Sequence, residues 1–418
     1  MDRGVAVVGA GYAGMAAAVT LAERGIPVTV FEAAPVPGGR ARRIVSHGHE
    51  LDNGQHILVG AYTELWRMLR AVGVPQDAVL RLPLEIRYAK DFSFRALWFP
   101  APFDLLGGLL ATKGASLGER LGAVRFVMAL KRARFRVEPD IPVQQLLKQH
   151  GQDGAMSHYL WEPICVAALN TPVDQASANV LLAVLRDMLA GTPGCSDLLL
   201  PRVDLSRLFP EPAAEFVRKH GGEIRLHSTV NDLAELKFDS IIVAVGPHQL
   251  NTLLPDHAPE YSYQPIHTCY LQYPDKVSLP FPMLGMAEGL VQWVFDRGAL
   301  TGERGRLACV ISAQGDHQQL THDELADTCA RELARAFPNL PAPLWSQVIA
   351  EKRATIACTP SLKRPAIETA IPSVFLAGDY VDPDYPPTLE AAVRSGVRAA
   401  RFALNHRSRI TTPTTECK

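Results

Sequence analysis

Three glycines near the amino terminus, Gly9, Gly11 and Gly14, have the spacing and setting of a phosphate cradle. The apolar run Val5-Ala6-Val7-Val8 precedes them, and a small-residue run from Met15 to Arg24 follows. In such a strand, turn and helix unit, Gly9 permits the tight turn, Gly11 lets backbone N–H groups approach a pyrophosphate, and Gly14 lets the helix pack against the strand. The helix N-terminus adds unpaired N–H donors and a partial positive charge. Glu32 closes the next apolar run about 20 residues on, where a carboxylate accepts hydrogen bonds from both ribose hydroxyls and repels a 2′-phosphate. The pattern predicts a dinucleotide other than NADP.

Two further pieces narrow the choice. Gly38-Gly39-Arg40, within the stretch Pro35 to Arg43, offers a second close backbone approach, and the Arg40 guanidinium can hold a phosphate or a flavin edge. Simple NAD dehydrogenases have no use for this second clamp. At the other end of the chain, Val374 to Ala377 delivers a Gly378-Asp379 turn, with Asp379 placed to accept hydrogen bonds from the ribityl chain of FAD. A small-residue helix from Pro387 through Thr388 and Leu389 to Ala400 then turns its N-terminus to the flavin N1/O2 edge, where it favours the negative charge of the reduced ring. FAD uses all of these features together.

With those motifs in view, residues 5–43 and 374–400 resemble the FAD-binding superfamily of amine oxidases, protoporphyrinogen oxidases and carotenoid desaturases. Within it, Leu51 to Tyr62, which includes Asp52-Asn53-Gly54-Gln55-His56, and Arg353 to Pro360 resemble the squalene-associated branch, the hydroxysqualene dehydroxylases of bacterial hopanoid biosynthesis. The resemblance spans essentially the whole chain. It implies that hydroxysqualene, or a similar C30 isoprenoid, loses water and gains a hydride from reduced FAD to give squalene, alongside squalene-synthase-like pathway partners. It also implies that residues 51–56 lie near the isoalloxazine, with Gly54 in the cofactor wall and His56 facing substrate. Asp52 is then either a proton carrier or a support for the turn.

Such a reaction needs an acid for the leaving hydroxyl and a dry pocket for the allylic cation. Asp382 and Asp384 are also eligible acids, and Tyr380, Tyr385 and Trp293 are eligible π faces for the cation. Three alternatives stay open. A carotenoid-type desaturase would run the hydride the other way; an amine or protoporphyrinogen oxidase is disfavoured by an aromatic content of only 7%; and a lipid-binding or assembly protein would keep FAD as a structural group.

Bringing these residues together requires an α/β fold in which the two chain ends meet. We expect a discontinuous Rossmann-like FAD-binding domain of residues 1–80, 201–250 and 350–410, with an inserted mixed α+β substrate domain of residues 81–200 and 251–349 and a flexible tail, 411–418. The middle piece of the FAD domain predicts a helix over 211–220, a strand over 223–227 and a buried strand over 238–246. The insert predicts helices near 181–189 and 323–337 and strands over 267–273, 289–295 and 306–312.

Composition is that of an ordinary globular protein. The chain has 418 residues, 47% of them hydrophobic, enough for two cores. A net charge of −1 gives no reason to expect nucleic acid. Seven cysteines without paired spacing, and 13 histidines without metal-ligand spacing, predict reduced thiols and no metal site. The first strand begins within a few residues of Met1 and no apolar run is long enough to span a bilayer, so we expect a cytoplasmic enzyme or one held peripherally on the inner face of the plasma membrane. The segment Leu97 to Ala111, followed by the basic run Lys131 to Arg136, fits two readings: an interfacial membrane contact, or a helix and loop of the substrate-domain core.

Overall fold

The computed structural model describes residues 3–88, 92–99, 102–189, 193–381 and 385–411. The fold is α/β, and its nucleotide half is a five-stranded parallel sheet in the order Glu223–Arg225, Val28–Phe31, Val5–Val8, Ser240–Val243, Val374–Leu376. The strands of this sheet therefore come from both ends of the chain and from its middle. Val5–Val8 and Ser240–Val243 are buried at every position, as expected of central parallel strands covered on both faces.

The helix Tyr12–Ala22 is also buried all round. An apolar helix without a polar face must be covered on every side, and it lies against both Leu389–Thr411 and Pro210–Lys219. Small residues set the closeness of that packing. A Cβ on Gly14 would sit 1.9 Å from the Gly9 carbonyl oxygen, and one on Gly396 would sit 2.0 Å from that of Ala13. Glu390, fully buried, ties the helix Thr63–Ala71 to the C-terminal helix: its carboxylate accepts from the backbone N–H of Glu64 and Leu65, at 3.1 and 2.8 Å, and from Arg394 Nε at 2.7 Å. Those N–H groups are otherwise unpaired at a helix start.

The second half is built on a five-stranded antiparallel sheet in the order Met283–Gly285, Trp293–Asp296, Arg306–Ser312, Tyr263–Gln272, Trp345–Ile356. Its two faces are both buried, in the alternation a pleated strand imposes. Tyr270, Trp293, Phe295, Ala308 and Val310 face a core shared with the helices between residues 103 and 188. Cys269, Leu271, Val294, Cys309 and Val348 face the helix His322–Ala336 instead. The expected domain boundary at 350 falls inside the strand Trp345–Ile356. The strand predicted from residue 289 begins only at Trp293, because the N–H groups of Leu290 and Val291 donate to the Glu332 carboxylate at 2.9 and 3.0 Å rather than to a neighbouring strand.

Among the described residues, six cysteines are free thiols and no His, Cys, Asp and Glu cluster is arranged to hold a metal. No helix among them is long and apolar enough to cross a membrane. Cys417 and most of the expected tail lie outside the described residues.

Candidate active site

One cavity of about 1030 Å³ opens between the two halves, at the upper end of the usual range for ligand pockets. Its polar wall is assembled from the predicted nucleotide motifs: Gly9, Gly11, Glu32, Gly38, Gly39 and Arg40, with Gly54, Gly378, Asp379, Thr388 and Leu389 from elsewhere in the chain. Gly14 is not on the wall; it lies beneath, where it allows the helix to meet the turn.

The two glycine turns touch. The Gly38 N–H donates to the Ala10 carbonyl at 2.8 Å, and a Cβ on Gly39 would come within 3.3 Å of the Gly11 Cα. Glu32 braces the first turn and the start of the connection that leads to the second, its carboxylate accepting from the N–H of Ala10 at 2.7 Å and of Ala34 at 2.8 Å. Arg40 stands on the cavity wall. Its guanidinium donates to the Ala354 carbonyl and to Asp379 Oδ1, both at 2.7 Å, so it joins the two ends of the split signature directly. That partner lies 339 residues away in sequence. The Asp379 turn is in turn held by the C-terminal helix, since the Gly378 N–H donates to Ser395 Oγ at 2.8 Å.

Both helices that begin at this cavity aim their N-termini into it: Gly11, Tyr12 and Ala13 from one, and Thr388, Leu389 and Ala392 from the other. Two such termini suit a ligand with two electron-rich regions, a pyrophosphate and a reduced flavin ring. Backbone cradles too crowded for a Cβ, an acid at the strand end and two helix termini on one cavity fit FAD.

Part of the remaining wall is apolar, with Leu84, Ile86, Ile164, Met188, Met283 and Phe295 among its residues. His56 stands on this wall and also on that of a second cavity of about 10 Å³, shared with Asp52, Gln55 and Arg297. A space of that size holds about one water molecule. Burial pushes the His56 imidazole down to about 4, so it is neutral at neutral pH.

Asp52 is 2% exposed and does not reach the large cavity. Its Oδ1 accepts from the Leu205 N–H at 2.8 Å, its Oδ2 meets Arg297 Nη1 at 3.3 Å, and its carbonyl accepts from the Tyr270 hydroxyl at 2.8 Å. Burial raises its carboxyl to about 6, against the opposing pull of Arg297 and the Leu205 N–H. Arg297, itself 4% exposed, also donates to Gln55 Oε1 at 3.2 Å and to Glu303 at 2.9 Å. Gln55 Nε2 completes the set by donating to the Tyr270 hydroxyl at 2.7 Å. Arg297 and Tyr270 belong to no motif, and no sequence signal marked them.

Of the aromatic candidates, Trp293 and Tyr385 line the large cavity. Tyr380 does not; it is fully buried in the core of the nucleotide half. Tyr62, which the motif reading passed over, also lines the cavity, and burial raises its hydroxyl well above the ordinary range, so it is a neutral donor. The Arg394 guanidinium lies 4.4 Å over the Tyr385 ring and already occupies one of its π faces. Asp382 and Asp384 lie outside the described residues.

Residues 12–404 match the family of flavin-containing amine oxidoreductases. The chain is 30% identical to the hydroxysqualene dehydroxylase of Sinorhizobium fredii over 97% of its own length and 99% of that protein. This chain belongs to the hydroxysqualene dehydroxylase family. The enzyme of Zymomonas mobilis with the same name is 27% identical over 96% of this chain and 99% of its own. Among solved structures, cyclohexylamine oxidase from Brevibacterium oxydans superposes with a TM-score of 0.68 at 17% identity, covering 98% of this chain and all of that one, which shows the common fold. As a member of the hydroxysqualene dehydroxylase family, the chain is an FAD-dependent oxidoreductase, and FAD is its cofactor.

Proposed function

We propose that this enzyme converts hydroxysqualene to squalene by reductive dehydroxylation. The observation that supports this most directly is the large cavity, in which the FAD cradle continues into an apolar chamber that suits a hydrocarbon chain. The family membership points the same way. In the balanced reaction the C–O bond breaks, a hydride forms the new C–H bond, and a proton leaves with the hydroxyl as water. FAD, when bound and reduced, supplies the hydride.

The chain's own residues supply the rest. The apolar wall excludes water from the cationic carbon. His56 faces the leaving oxygen and acts as a relay: one ring nitrogen gives its proton to that oxygen while the other takes a proton from Asp52 by way of the one-water cavity behind it, so the imidazole stays neutral overall. Tyr62 and Tyr385, neutral at any physiological pH, hold the hydroxyl by hydrogen bonds.

The test is anaerobic: reduce the flavoprotein, add hydroxysqualene in detergent, and follow flavin absorbance and products together. Reoxidation with stoichiometric squalene is the expected result. Bleaching of the oxidised enzyme by squalene would mean a desaturase and overturn the proposal.

The same single-turnover assay reads the proton path. Asp52 donates only when protonated, a form that is full below its value of about 6 and diminishes tenfold for each pH unit above it. The rate is expected to fall accordingly through neutral pH, and Asp52→Asn to abolish that slope. Asparagine keeps an oxygen for the Leu205 N–H. His56→Ala should lower the rate roughly 100-fold or more, the usual weight of a positioned acid, with flavin content unchanged. A slope that survives Asp52→Asn would remove Asp52 from the path.

A further inference from the structure

We propose that the face formed by Trp98, Phe99 and the outer stripes of the helices Phe103–Ala111 and Leu117–Arg132 docks onto an anionic lipid bilayer. The inference stands on exposure and charge and does not depend on the C30 substrate.

Trp98 is 97% exposed, Phe99 59% and Phe103 65%. Leu110, Leu117, Leu121 and Met128 are also exposed. Helical spacing places them in register. Phe103 and Leu110 share one stripe, and Leu117, Leu121 and Met128 share another, while the opposite sides of the same helices bury Leu105 and Leu109, and Ala123, Phe126, Val127 and Leu130. The helices already own an interior contact, so the outer stripes are a second apolar surface. Contiguous patches of this kind on a monomer mark an interaction site.

Charge selects the occupant. Residues 93–137 hold eight lysines and arginines against two acids, an excess of six in a chain whose total is −1. On the helix Leu117–Arg132, Arg125 and Arg132 flank the apolar stripe on one side and Lys131 on the other; all three are exposed, as are Lys113, Arg134 and Arg136 beside it. Aromatic and leucine side chains between cations are what the acyl layer and the anionic headgroups of a bilayer require. A protein partner would need no such excess of one sign.

The face also backs onto the apolar chamber. The helix Phe103–Ala111 packs on the strand Ser93–Arg95, which pairs with Glu85–Arg87. Leu84 and Ile86 at that pairing line the cavity, and the Ala96 N–H donates to the Leu84 carbonyl at 2.8 Å. One thin layer thus has the docking face outside and the chamber inside.

Flotation of the FAD-loaded enzyme with vesicles of phosphatidylcholine, with and without phosphatidylglycerol, tests the proposal. Binding is expected with the anionic vesicles, and salt should weaken it because the charges are exposed. Trp98→Ser, Phe99→Ser and Phe103→Ser together should lower partitioning at least tenfold without changing flavin content, as these side chains support no core. Val45→Ser, at another exposed apolar position, should change nothing. Wild-type protein that stays in the soluble fraction with anionic vesicles, or a triple variant that floats equally well, would overturn the proposal. So would a wild-type dimer dispersed by the triple variant without any vesicle binding, which would make the face a contact between copies.

Discussion

Replacing Arg297 with methionine should lower the free energy of unfolding by about 3–5 kcal/mol, measured by urea denaturation at neutral pH. The substitution leaves Asp52 buried without its cation and takes a partner from Glu303 and Gln55. The size comes from the stranded charge rather than from the pair's own strength: at 3.3 Å the Asp52 contact is long, and burial already outweighs it in setting the Asp52 carboxyl near 6. In an Asp52→Asn background the same Arg297→Met change should cost less than half as much, because no buried carboxylate remains to be stranded. Equal costs in both backgrounds would show that Arg297 matters for its packing alone. The pair also holds Gln55 beside His56, so a weakened network should loosen the site before the whole fold.

Glu32→Ala should lower FAD affinity at least about 100-fold, or roughly 2.7 kcal/mol, measured by titrating FAD into the deflavinated protein. Two losses combine. The N–H groups of Ala10 and Ala34 lose their acceptor, so the first glycine turn and the connection to the second lose a brace, and the ribose hydroxyls lose a charged acceptor. Glu32→Gln keeps an oxygen in place and should lose about tenfold, the difference being the charge. An alanine variant that holds FAD as tightly as the parent would take Glu32 out of the cofactor site.

The nucleotide half was legible in the sequence because its constraints are local and steric. Gly14 must be glycine since a Cβ would strike the Gly9 carbonyl five residues back, and an all-apolar helix start between two apolar strands leaves few other folds. Glu32 follows its strand by one residue and so falls where the strand ends. The C-terminal turn at Gly378-Asp379 was readable for the same reason.

Other features had no local signal. Arg40 reads as a clamp for a phosphate or a flavin edge from its neighbours, and nothing near it in the chain names Asp379 as the partner of its guanidinium. Asp52 and Arg297 are 245 residues apart, and nothing around either names the other. Asp52 could be read as a proton carrier or a turn support, and the structure places it off the large cavity, on the wall of the small one that His56 also lines. Tyr380 looked like a cavity residue because it follows Asp379, but adjacent residues on a turn point to different sides, and its ring lies in the core.

By itself, then, the sequence determined the cofactor, the α/β class and the family, through glycines and an acid whose roles follow from backbone geometry within a few residues. Tertiary structure alone decided the pairing of Arg40 with Asp379, the buried cation behind His56, and which side of the segment 97–111 is outside. Leu105 and Leu109 turn inward while Phe103 and Leu110 turn to solvent. Apolar residues of both kinds look alike along the chain, and only the neighbours brought by folding, Phe94 and Ile86 from a strand pair below, settle which of them is covered.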